Sequence, residues 1–156
     1  MIKVDTLYKF LSTELLDYRQ RLSDIHVYAQ TGTTKAYLSD DNDNFILSYQ
    51  AVIVLEKSTY GAAHISYLLL RWLKEHQAAW LKDAVLAWDV EIINPQQSNL
   101  LFYVDLTETI IAHKTGDAIQ LETAGEPHRC APIDDASLSL SIRHRPRLTD
   151  EKQFKH

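Results

Sequence analysis

Residues 45–55 read FILSYQAVIVL, apolar at every odd position from Phe45 to Leu55. Side chains of a strand alternate between its two faces, so this period of two predicts a long strand with one face in a core. The even positions are mixed, with Ser48, Gln50 and Glu56 beside Ile46, Val52 and Val54. Such a face predicts partial cover by another chain.

Two further strands follow the same rule downstream. Leu86, Trp88, Val90 and Ile92 alternate with Ala87, Asp89 and Glu91, and Leu100, Phe102, Val104 and Leu106 alternate with Leu101, Tyr103, Asp105 and Thr107. Asn94 to Ser98 supplies the turn between them. Upstream, Ile25–Gln30 and Thr33–Leu38 read as a β-hairpin about Thr31-Gly32, where glycine would provide the positive φ of a tight turn. Ser39 to Asn44 reads as a polar turn, and Ile119–Thr123 and Leu138–Ile142 as weaker strands. Gly125, Pro127 and Pro132 break regular structure between those two.

The period changes to that of a helix in two places. Leu7, Phe10, Leu11, Leu15, Tyr18 and Leu22 form one stripe over about Thr6 to Leu22, with Asp5 as the expected cap. Ile65, Leu69, Trp72, Leu73, His76 and Trp80 form another over about Gly61 to Leu81. The order predicts an α+β fold: a mainly antiparallel sheet of four to six strands, with two helices packed on one face. Residues 1–126 are expected to form one domain and residues 127–156 an extension ending in a flexible basic arm.

Composition agrees with a single domain, since 156 residues with 46% hydrophobic and 24% charged content can bury a real core. Cys130 is alone, which excludes an intramolecular disulfide and fits synthesis in a reducing cytoplasm. No apolar run approaches the roughly 20 residues that span a bilayer, and no signal peptide opens the sequence. The net charge of -5 argues against a general nucleic-acid binder. It is unevenly placed. Arg143, Arg145, Arg147, Lys152 and Lys155 face only Asp150 and Glu151 in the last fourteen residues, which leaves -8 on residues 1–142.

Each cluster that suggests chemistry has a plainer reading. Asp40-Asp41-Asn42-Asp43-Asn44 begins like a calcium loop, but the required sixth-position glycine and twelfth-position glutamate are replaced by Phe45 and Ala51, or by Ile46 and Val52 in the next register. His128 and Cys130 lack a second ligand pair. His64 and His76 are twelve residues apart on one helix, about 18 Å, too far to share a metal. No phosphate-cradling glycine motif occurs. Trp72, Trp80 and Trp88 are expected in the core. No catalytic residue, cofactor or metal is therefore assigned, and recognition is expected from loops and the arm: Asp40, Asp41, Asp43, Gln96, Gln97, Arg143, Arg145 and Arg147.

Several stretches resemble the tail completion protein R family of P2-like phages. They are Ile25-His26-Val27-Tyr28, Ser48 to Leu55 (SYQAVIVL), Leu69 to Leu81 (LLRWLKEHQAAWL), Asp89 to Ile93 and Val104 to Glu108. The resemblance covers about residues 4–124. It departs where the family has a proline in the strand-to-helix loop, here Ser58 to Ala63. It implies a structural protein without catalytic residues, located at the head-proximal end of a contractile tail, which finishes the tail so that a head can join. The implied partners are tail tube and neck proteins; a compact domain with two-sided strands and an acidic body is in turn expected to close into a homo-oligomeric ring. The competing expectations are a transient assembly chaperone or adaptor, and a small enzyme using Cys130 and His128.

Overall fold

The computed structural model describes residues 1–77 and 83–125. Five strands and two α-helices succeed one another as α1 (Ile2–Glu14), β1 (Ile25–Ala36), β2 (Phe45–Ser58), α2 (Ala62–His76), β3 (Ala87–Asn94), β4 (Gln97–Thr115) and β5 (Ala118–Thr123). Short 3-10 turns at Leu16–Tyr18 and Leu22–Asp24 connect α1 to β1. The sheet is antiparallel in the order β1-β2-β4-β3, and β5 also pairs with β4. β3 meets β4 over residues 97–103 and β5 meets it over 110–115, so the two lie end to end along one edge. This is the α+β arrangement that the alternating strands and the two helical stripes predict.

The odd positions of β2 do enter the core. Tyr49, Ala51, Ile53 and Leu55 are buried with Leu100, Phe102, Val104 and Leu106 of β4, against Leu7 and Leu11 of α1 and Ile65, Leu69 and Trp72 of α2. Both helices thus cover the same sheet face.

Several local expectations need correction. β1 is one continuous strand paired with β2 from Ile25 to Ala36, with a bulge between Ala29 and Thr31, so Thr31-Gly32 is not a hairpin turn. Gly32 has no positive φ. Its need for glycine is steric, because an added Cβ would lie 2.8 Å from Tyr49 Cβ and 3.0 Å from the Ser48 carbonyl. α1 begins at Ile2 and ends at Glu14, and the stripe continues as Leu15 and, in the first 3-10 turn, Tyr18, while Leu22 is exposed. Asp5 is inside the first turn and does not cap it. α2 ends at His76, since Gln77 turns to an extended conformation. Trp72 is buried as expected, but Trp88 is 50% exposed because β3 is an edge strand with every residue exposed. Trp80, and the expected Leu138–Ile142 strand, lie outside the described residues.

Overpacking a site of this kind costs about 1–3 kcal/mol. Gly32→Ala is expected to lower the thermal midpoint measurably, whereas Gly125→Ala, where an added Cβ meets nothing within 4 Å, leaves it nearly unchanged. Differential scanning calorimetry of both variants checks this.

Candidate functional site

β4 alternates Leu100, Phe102, Val104, Leu106, Glu108 and Ile110 into the core, and Glu108 is the charged member of that series. Its carboxylate is 1% exposed. Oε1 accepts from the Lys3 backbone N–H at 2.9 Å and from the Tyr49 hydroxyl at 2.5 Å. The first N–H groups of a helix have no partner within it, and they favour negative charge. Glu108, 105 residues away in sequence, therefore does what the Asp5 side chain was expected to do. Lys3 extends the node. Its Nζ donates to Gln77 Oε1 at 2.9 Å, and Gln77 Nε2 donates to Thr107 Oγ1 at 3.0 Å. Gln77 Oε1 also accepts from the Thr107 N–H at 3.4 Å, in the stretch of β4 between those paired to β3 and β5. The start of α1, the end of α2 and the middle of β4 are joined by this buried polar chain.

Within the node the Tyr49 phenol is held in place and protonated. Burial chiefly, then the hydrogen bond to Glu108 and its charge, pushes the Tyr49 phenol up from its usual value, with a smaller contribution from Asp5. Tyr18, whose hydroxyl donates to the Glu56 carbonyl at 2.7 Å, is also raised by burial, against smaller lowering effects of Ser58 and Arg21.

The loops expected to carry recognition lie elsewhere. Asp40, Asp41 and Asp43 are exposed between β1 and β2. Asp43 forms an ion pair with Lys114 at 2.7 Å, which raises the Lys114 pKa through the hydrogen bond and then the charge. Asn44 Oδ1 accepts from the Ala112 N–H at 3.0 Å and fixes this loop to the far end of β4. Gln96 is exposed and Gln97 half-buried in the β3–β4 turn, where Asn94 Oδ1 accepts from both their N–H groups at 2.9 Å. From Gln97 to Ala112 is about 50 Å of strand at the usual rise per residue. The two loops are therefore at opposite ends of the sheet and do not form one surface. Arg143, Arg145 and Arg147, like His128 and Cys130, lie outside the described residues.

Among the described residues, no group of three or more His, Cys, Asp or Glu is placed to hold a metal, and no helix is long and apolar enough to cross a membrane. Among the described residues, the scaffold offers exposed loops at its two ends, edge strands β1 and β3 with no further strand paired to them, and an internal polar brace. Residues 1–127 match the family model for P2 phage tail completion protein R (GpR), and the chain belongs to that family. Its role is accordingly phage tail completion, within virion assembly, as a structural component associated with the tail. No curated protein and no solved structure matches the chain.

Because the folded chain holds the Tyr49 and Tyr18 protons more tightly than the unfolded chain, stability present below pH 10 is lost as pH rises above it. Each phenol contributes a slope of up to about 1.4 kcal/mol per pH unit. Urea unfolding between pH 9 and 11.5 should show this decline, and Tyr49→Phe should make it shallower.

Proposed function

We propose that this protein acts at the head-proximal end of the tail, where a homo-oligomeric ring docks on the last tube layer, stops further polymerisation and presents its other side to the neck for head joining. Residues 1–126 form the completion domain in this reading and residues 127–156 an extension. The observation that carries the reading is the family match over residues 1–127. Two features of the subunit support it. The Asp40–Asp43 loop and the Gln96-Gln97 turn are at opposite ends of β4, which suits a part held between two different partners. Among the described residues, β1 pairs only with β2 and β3 only with β4, so sheet edges are open on both sides. Open edges invite pairing, and a head-to-tail contact closed by rotation generates a ring.

The direct test adds purified full chain to polymerising tube protein. Tubes should become shorter and carry a ring-shaped density at one end in negative stain, with mass photometry giving one discrete oligomer. Tubes of unchanged length with bare ends, and a chain that stays monomeric beside them, would contradict the proposal. Asp40→Lys with Asp41→Lys should weaken contact at one end of the ring, seen as loss of either tube capping or head joining, while the other persists.

A further inference from the structure

The sheet face away from the helices carries an apolar centre. His26, Val54, Leu101 and Asp89 form one row across β1, β2, β4 and β3, and Tyr28, Val52, Tyr103 and Ala87 form the next. Val52 is only 2% exposed although neither helix covers this face, and its cross-strand neighbours on the two sides are Tyr28 and Tyr103. Tyr28 itself is 48% exposed.

The surround of this centre is acidic. Glu56, Asp89, Glu91 and Asp105 occupy outward positions around it, and the face bears no Lys or Arg over residues 25–29, 48–56, 87–92 and 98–107. Glu56 contacts His26 at 3.2 Å and Glu91 accepts from Asn99 at 2.9 Å. Asp89 and Asp105 are exposed without an ion-pair partner among the described residues. An occupant that suits this face is short, apolar at intervals and basic.

The chain contains such a segment. Residues 138–147 read LSLSIRHRPR, with Leu138, Leu140 and Ile142 followed closely by Arg143, Arg145 and Arg147. The distance is short enough. The Ala124 N–H bonds the Thr109 carbonyl at 2.8 Å, so the chain leaves β5 beside β4. Tyr103 lies six residues along β4 from Thr109, about 20 Å. Residues 125–137 can span about 40 Å. We propose that residues 138–147 dock on the outer sheet face of their own chain, with Leu138, Leu140 and Ile142 against the Tyr28, Val52 and Tyr103 centre and the arginines among Asp89, Asp105 and Glu56. The family match ends at residue 127, so the cover comes from beyond the part shared with the family. It depends on no particular ring geometry.

The test places a benzoylphenylalanine photo-crosslinker at position 103 of the full chain, prepared as an equal mixture of nitrogen-14 and nitrogen-15 protein. Cross-links should fall within residues 138–147 and be isotopically pure. Cross-links that miss this segment overturn the proposal, as do cross-links of mixed isotope, which would show a second copy on the face. Asp105, exposed on the same face, provides a second crosslinker position if the first variant folds poorly. With folding checked by circular dichroism, R143E/R145E/R147E should lower the cross-link yield at least tenfold, and an unchanged yield overturns the assignment of the arginines.

Discussion

The pairing of β2 with β4 is the contact on which the rest of the molecule depends. It runs without interruption from Phe45 opposite Ile110 to Leu55 opposite Leu100. β1 is attached to the free edge of β2, and β3 and β5 to the free edge of β4. A slip of one residue in this register would turn Tyr49, Ala51, Ile53 and Leu55 away from the helices. The buried Glu108 raises the penalty for such a slip. Its carboxylate, still facing α1 and the Lys3 N–H, would lose the Tyr49 hydroxyl, and a buried charge short of a partner costs more than a lost apolar contact. Helix placement and strand register are therefore specified by the same side chain.

That construction matters for a protein whose work is docking. The two ends of β4 are held at a fixed separation by a continuous strand, and the loops at each end are tied to the sheet by Asn44 and Asn94. In the proposed ring, contacts made at one end are not shared by the other, and one rigid body would address two different neighbours. Among the described residues, the helices cover a single face of the sheet and leave the opposite face without a helix.

Much of this architecture is legible in the sequence because periodicity reports burial directly. The odd positions of residues 45–55 and the even positions of 100–106 name the core face correctly, and the Leu7, Leu11, Ile65, Leu69 and Trp72 stripes name the helix faces. The errors arise where a local signal was overruled by distant packing. Gly32 carries a turn signal, yet its environment is set by Tyr49 on a neighbouring strand. Trp88 alternates properly with its neighbours, but alternation does not say that β3 is at an edge. The polar brace has two signals in the sequence: Glu108 at a core position of an alternating strand, and Lys3 four residues before Leu7 and eight before Leu11 on the same helical stripe. Polar residues mark the Asp40–Asp43 loop and the Gln96-Gln97 turn in the sequence, but polarity says nothing about their lying at opposite ends of the sheet.

The central claim is that this chain completes tails, and negative-stain microscopy of particles from cells lacking its gene tests it most directly. Tail length and head attachment should be scored on the same particles. Overlong or unjoined tails, restored to normal when the gene is supplied in trans, are the predicted result. Tails of normal length carrying heads would contradict the account.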